Sequence, residues 1–328
     1  MANWLDPQPI DIASSLRDAV GGHPLVAETM ARRGVLTSEE ARAFLHPAAY
    51  SPASPADLPD LAEAVEHLRR AIRRRQRIAN WGDFDADGQT ATALLVDTLI
   101  DLSADVVFYI PSRHEGHGLH VPSLERLIAD SVRLILTCDT GVTAHAAVAR
   151  ARELGAEVII TDHHTPGETL PLALATINPH RLRERHPLRP LAGVGVAYQL
   201  ASGLDPELGE RALDLVALGT VADVATLAGD NRYLVQRGLD ALRHTQRAGL
   251  KAVYQAASLS PEGLTEEHIG FVLGPRLNAL GRLADASRGV ELLTTDDRLQ
   301  ARTWATEIEG LNARRKWLTK QVTDAALA

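Results

Sequence analysis

From residue 77 onward the chain alternates short apolar runs with stretches of helical character, and this alternation restricts the fold more than any other feature. Residues 77–81, 106–110, 134–138 and 158–161 read as buried strands, each followed by a segment that can be helical. The pattern predicts an α/β fold, a mostly parallel open sheet flanked by helices on both faces. Sites in such sheets lie at the carboxyl ends of the strands, so the polar residues just after each run are where chemistry is expected.

Those positions are acidic. In WGDFDADGQTA, residues 81–91, Asp83, Asp85 and Asp87 alternate along the end of the first run, and Gly88 permits a turn into a helix. Like charges this close are tolerated only when a cation neutralises them or one of them takes up a proton. The stretch alone fits two readings, a divalent metal held at a strand end or a solvated acidic turn. Three further signals follow apolar runs: Asp139 after LILTC, Asp162-His163-His164 after VIIT, and Asp223 after the stretch 215–221. Each has a bland meaning, since Asp139 suits a turn, Asp162 suits a helix cap, and adjacent histidines are commonly surface residues. Taken as four strand ends meeting at one edge, they assemble several carboxylates and an imidazole in one crevice. Oxygen ligands with one imidazole suit Mn²⁺ or Mg²⁺ better than structural zinc. With at least four carboxylates, a site for two ions at ~3.5–4 Å follows, one carboxylate bridging them, which is the equipment of phosphoester or phosphoanhydride hydrolysis. The chain has no P-loop and no GxGxxG fingerprint, which argues against a nucleotide-driven motor or a dehydrogenase.

Composition narrows the partners. A net charge of −8 gives no global attraction to polyanions, so a nucleic acid must be met by a local basic patch or by metal ions. The single cysteine, Cys138, excludes an internal disulfide framework and a cysteine-cluster metal site. No apolar run approaches the ~18 residues that span a bilayer and the amino terminus lacks a secretory design, so no membrane association and a cytoplasmic location are expected. At 328 residues the chain has room for two units. Residues 1–60 read as a helical lead-in: 26–45 has helical spacing, Thr37-Ser38-Glu39-Glu40 is a capped helix start, and Pro47, Pro52, Pro55 and Pro59 mark a proline-rich strap. Residues 61–75 form a helix ending in Arg69, Arg70, Arg73, Arg74 and Arg75, read as a solvated helix end near the negative pole of the helix dipole rather than a phosphate contact.

GDFDADGQTA at 82–91, CDTGVTA at 138–144, DHH at 162–164 and GTVADV at 219–224 resemble, in order and spacing, the four motifs of the DHH phosphoesterase superfamily. IPSRHEGHGL at 110–119, INPHR at 177–181, LAGVGVAYQLA at 191–201 and HIGFVLGPRLNALGRL at 268–283 resemble more narrowly the RecJ family of single-strand-specific 5′→3′ exonucleases. The resemblance covers nearly everything from about residue 30 to the end and implies a metal-dependent phosphodiesterase releasing mononucleotides from single-stranded DNA, in repair and recombination. It implies two ions, Mn²⁺ or Mg²⁺, held by Asp85, Asp87, Asp139, His163 and Asp223. In that assignment Asp139 bridges, Asp85 completes one ion's shell, and Asp87, His163 and Asp223 hold the other. Asp83 and Asp162 then orient ligands, with direct metal binding by either as the alternative, and His164 faces the substrate phosphate. Arg113, Arg276, Asn278 and Arg282 are implied along the nucleic-acid backbone, against the alternative that Arg276 and Arg282 pair with carboxylates such as Asp285; His114, His117 and His120 read as loop residues beside the groove rather than as a second metal site.

The resemblance also divides the chain into the lead-in at 1–60, the DHH catalytic domain at 61–285, and a connecting long helix at 286–328 that in RecJ-like proteins leads to a second domain with a glycine-rich, histidine-containing motif. The apolar stripe of Leu299, Trp304, Ile308, Leu311, Leu318 and Val322 is expected to be exposed, folded back or buried in a partner chain, as in a truncated chain, a fragment or half of a split enzyme. The same motifs serve hydrolases of short oligonucleotides, cyclic dinucleotides or pyrophosphate, and a non-catalytic partner-binding module of the same fold is the other alternative.

Overall fold

The computed structural model describes residues 8–327. The chain forms two compact units, the first ending at Pro52 and the second beginning at Ala53. In the first, helices α1 (Ser14–Ala19), α2 (Pro24–Arg32) and α3 (Ser38–Leu45) close over Leu16, Met30, Ala31 and Ala41. Helix α3 starts on a reciprocal cap: the Thr37 hydroxyl accepts from Glu40 N at 3.1 Å, and Glu40 Oε2 accepts from Thr37 N at 3.0 Å.

Residues 53–60, expected with the lead-in, pack in the second unit. Ala53 N donates to Asp230, and Leu58 lies in the large core. Helix α4 (Leu61–Arg73) buries Leu61, Ala64, Val65, Leu68 and Ala71, spaced at one helical face. Its basic end precedes the first strand, at the amino edge of the sheet. Arg69 caps the carbonyls of Gly203 and Leu204, and Arg73 pairs with Glu66.

The sheet has five parallel strands, β1 (Arg77–Trp81), β2 (Val106–Tyr109), β3 (Val132–Thr137), β4 (Glu157–Thr161) and β5 (Ala175–Ile177), in the order β2-β1-β3-β4-β5. Alternate residues serve two cores. Ala79, Trp81, Ile135, Val158 and Ile160 face α6 (Val121–Ala129) and α7 (His145–Glu153), while Ile78, Leu134, Leu136 and Ile159 join the larger core of α5 (Ala86–Asp101). Helix α5 is buried on nearly every side because it also packs against α8 (Gly193–Leu204) and, after the short α9 (Pro206–Arg211), α10 (Leu213–Ala222). The chain continues through α11 (Gly229–Arg243), α12 (Ala248–Ala256) and α13 (Glu266–His268), then a π-helical turn (Ile269–Leu273) into α14 (Gly274–Leu283). Helices α15 (Ser287–Thr294) and α16 (Arg298–Leu327) complete it.

One expectation is corrected: residues 215–221 lie in helix α10, so Asp223 ends a helix rather than a strand. The segment is apolar on all sides because it is buried on all sides, and a short apolar run has the same appearance in a central strand and in a buried helix. Helix α16 buries Ala301, Ala305, Ile308 and Asn312, whereas Trp317 and Val322 are exposed, which places the far half of the apolar stripe in solvent. No helix among the described residues is long and apolar enough to cross a membrane.

Leu136, fully buried on β3, reports on this architecture. Leu136→Ala is expected to cost about 2–5 kcal/mol in urea unfolding; a change within error would contradict a core built on β3.

Candidate metal centre

The strand order reverses between β1 and β3, because the chain leaves β1 toward β2 on one side and builds β3, β4 and β5 on the other. Loops diverge at such a point and leave a crevice at the carboxyl ends of the two strands. Every acidic signal read from the sequence arrives there.

After β1, Asp85 caps helix α5, its Oδ1 accepting from Gly88 N at 2.9 Å. Gly88 is compulsory, since a Cβ there would stand 2.6 Å from Asp83 Cβ. Asp87, in the first turn of the helix and buried, accepts from two amides that open α8: Gly193 N to Oδ2 at 2.7 Å and Val194 N to Oδ1 at 2.9 Å. These are orphan donors at the positive end of a helix, suited to a carboxylate. After β3, Asp139 takes a left-handed conformation, φ 61°, and its Oδ1 lies 3.0 Å from His163 Nε2 without hydrogen-bond alignment. After β4, Asp162 accepts from Val142 N at 2.8 Å through Oδ2, and from His164 N at 3.0 Å and His164 Nδ1 at 2.8 Å through Oδ1. Asp223 arrives from the end of α10.

Three sets of donor atoms converge: Asp87, His163 and Asp223; Asp83, Asp85 and Asp139; and Asp139, His163 and His164. Asp139 belongs to two of them, and Asp83 shares a set with Asp85 and Asp139, an arrangement in keeping with the alternative of direct binding by Asp83. Both carboxylate oxygens of Asp83 and Oδ1 of Asp139 are buried with no hydrogen-bond donor. Buried carboxylate oxygens without donors are costly unless a proton or a cation meets them.

The electrostatics agree. Burial, reinforced by the Asp85 charge, pushes the Asp83 carboxyl up to about 7. Burial and Asp85 raise Asp223 to about 6. Burial also raises Asp87, with Asp223 and Asp85 adding repulsion, and raises Asp139, with Asp87 and Asp85 adding theirs. Burial holds His163 down at about 4, with His164 opposing its charge further. The hydrogen bond to Asp162 lifts His164 to about 9, whereas Asp162, which burial alone would raise, is held low by that same bond. A neutral imidazole among carboxyls whose hold on protons burial has strengthened is a donor set ready to exchange protons for metal, and its oxygen-rich character fits Mn²⁺ or Mg²⁺.

The centre is flanked by two cavities. One of about 590 Å³ has His163, Asp223, His180, Arg185 and Arg189 in its lining, and one of about 440 Å³ has His117, Gly141, Val142, Asp162 and His164. Of the residues expected along a nucleic-acid backbone, Arg113 stacks on Phe84 at 4.4 Å and anchors its Nε on Gly281 O at 3.1 Å. Arg282 is exposed and makes no hydrogen bond or ion pair among the described residues. Asn278 Oδ1 accepts from Ala86 N at 2.9 Å, which braces the acidic loop. Arg276 is buried, with Nε donating to Glu309 Oε2 at 2.6 Å and Nη1 to Val272 O at 2.7 Å, so its guanidinium is held by α16 and the π-helical turn.

Residues 77–220 match the DHH family, N-terminal domain. The chain is 40% identical over 318 residues to a protein of Bacillus subtilis named single-stranded-DNA-specific exonuclease RecJ, covering 97% of this chain and 40% of that one. A crystal structure of exonuclease RecJ bound to manganese superposes with a TM-score of 0.76 at 39% identity, over 83% of this chain and 70% of that chain. RecJ of Thermus thermophilus in complex with Mn²⁺ superposes with a TM-score of 0.81 at 35% identity, over 94% of this chain and 44% of that one. The chain belongs to the RecJ branch of the DHH family. It spans about half the length of the curated RecJ relatives it matches, between 39% and 55%.

Two features of this RecJ-type centre escaped the sequence reading. The Gly193 and Val194 amides that grip Asp87 act through the main chain; the only hint was the glycine, which is required because a Cβ would lie 2.5 Å from Asp139 Oδ1. His117, read as a loop residue, brings Nδ1 to 3.1 Å from Asp83 Oδ1 without hydrogen-bond alignment and packs its ring 4.8 Å from that of Phe84.

Because Asp83 and Asp223 bind protons more tightly folded than unfolded, their contribution to stability is complete below about pH 4 and is lost as pH rises through about 6 to 7. The metal-free protein is expected to melt at a lower temperature at pH 8 than at pH 5, and Mn²⁺ to raise the melting temperature more at pH 8. No response to Mn²⁺ at pH 8 would contradict a metal centre. Gly193→Ala is expected to stay folded and lose most of the Mn²⁺ response, because Asp139 must move; an unchanged response in the same melting assay would show that the close approach is dispensable.

Proposed function

We propose that this chain is the catalytic part of a metal-dependent phosphodiesterase that hydrolyses single-stranded DNA from its 5′ end and releases mononucleotides, acting in DNA repair and recombination in the cytoplasm. The observation that carries this reading is the convergence of Asp83, Asp85, Asp87, Asp139, His163 and Asp223 at the β1/β3 switch point, with buried oxygens lacking donors. The relatives named as single-stranded-DNA-specific exonucleases support the substrate and the reaction.

Asp87, His163 and Asp223 would hold one ion, and Asp85 and Asp139 the other, with Asp139 shared and Asp83 beside it. A bound pair of divalent ions supplies stabilisation of charge developing on the phosphoryl oxygens and lowers the pKa of water. The protein's own groups do the rest. His164, kept cationic near neutral pH by Asp162, donates to a non-bridging phosphate oxygen or protonates the departing alkoxide. Arg113, fixed through Nε and the Phe84 face, leaves its terminal nitrogens to fork onto a phosphate. Arg282 supplies a second cation and Asn278 steadies the loop between them. Contacts to phosphate and sugar carry no base information, so cleavage is insensitive to sequence.

Digestion of end-labelled single-stranded DNA with Mn²⁺ reads activity, direction and product size together. Mononucleotide release from the 5′ end is expected, abolished by chelation and restored by Mn²⁺. Asp139→Ala is expected to lower cleavage by at least about 100-fold, the scale of removing a group that stabilises the transition state. Retained activity in Asp139→Ala would remove the shared ligand from the scheme, and cleavage confined to two-residue DNA would assign the centre to short oligonucleotides.

A further inference from the structure

The turn that carries His163 and His164 is held in an unusual way. Its last ladder bond is Asp162 N to Ile177 O, 3.1 Å, and residues 163–170 make no backbone–backbone hydrogen bond among the described residues. The His164 peptide is gripped by side chains instead. Asp162 Oδ1 accepts from its N–H at 3.0 Å, and Asn178 Nδ2 donates to its carbonyl at 2.9 Å. Asn178 is fully buried just past β5, and its Oδ1 accepts from His180 N at 2.8 Å, so both ends of the amide are committed. The turn that presents it is tied in place by Arg189, whose Nη1 donates to His180 O at 2.8 Å and Leu182 O at 2.6 Å.

We propose that Asn178 is a positioning residue for the metal centre: its amide fixes the peptide that sets where His163 Nε2 and the His164 ring stand relative to Asp139. This rests on the metal-centre reading and deepens it. An aspartate cannot replace the asparagine, although it has the same shape. It keeps the acceptor for His180 N but loses the donor and turns a carboxylate oxygen toward the His164 carbonyl. Residues that orient ligands from behind in this way typically govern metal affinity by 10- to 100-fold.

The test is Mn²⁺ affinity of the full chain, measured by calorimetry without DNA, in Asn178→Asp and Asn178→Ala. The expected result is affinity weaker by about 10- to 100-fold in both, with metal-free melting still cooperative, and lower turnover at little-changed KM for DNA. A merely structural role would lower the metal-free melting temperature and leave affinity in the folded protein unchanged, and that result in either variant overturns the proposal. Should both variants fail to fold, side-chain amide exchange in the unmodified chain decides: protected Asn178 Nδ2 protons support the clamp, and exchange at the solvent rate refutes it. Failure of the unmodified chain to bind Mn²⁺ would remove both the clamp and the metal reading, an outcome distinct from variants that bind as tightly as the parent.

Discussion

The mutual repulsion of carboxylates buried at the β1/β3 switch point is the constraint on which the rest of this structure depends. Taking an ionised carboxylate out of water costs several kcal/mol even after relaxation, and Asp83, Asp87 and Asp139 are nearly inaccessible. The fold answers with three devices. The first amides of α8 donate to Asp87, burial strengthens the hold of neighbouring acids on their protons, and His163 is held toward its neutral form. Only the first is permanent; protons are exchangeable, and they are what a divalent cation displaces. The largely buried α5, α8 and α10 form the frame that holds these groups together against their repulsion.

The same constraint sorts the cations. A chain of net charge −8 carries its phosphate-binding groups at particular places. His164 owes its charge to Asp162, Arg113 owes its direction to Phe84 and Gly281, and Arg282 stays in solvent. Arg276, which looks equivalent in sequence, is spent on Glu309 and on the packing of α14 against α16. The basic end of α4 lies at the opposite edge of the sheet, where Arg69 and Arg73 close helix ends and ion pairs.

Much of this was legible in the sequence because strands and their acidic ends repeat a simple pattern. The four runs at 77–81, 106–110, 134–138 and 158–161 became β1 to β4, and the residues after β1, β3 and β4 became the floor of the crevice. Asp223 was placed in the crevice, but through the wrong element, because α10 is so buried that it lost the amphipathic signature of a helix. Strand β5 has three residues, too few to show alternation. The Gly193 and Val194 amides have no side-chain signal, and Arg276 met a partner 33 residues away on another helix, which spacing does not encode. Asn178 was visible within INPHR, yet its task depends on the carbonyl of His164, which only the fold brings within reach.

The central claim is that these carboxylates are arranged for cations. Calorimetric titration of the metal-free chain with Mn²⁺, repeated in two buffers of different ionisation enthalpy, tests it most directly. The account predicts about two ions bound per chain, with protons released at pH 6 to 7 as Asp83 and Asp223, held near 7 and 6, give theirs up. Absence of Mn²⁺ binding, or binding with no proton release in this range, would contradict it.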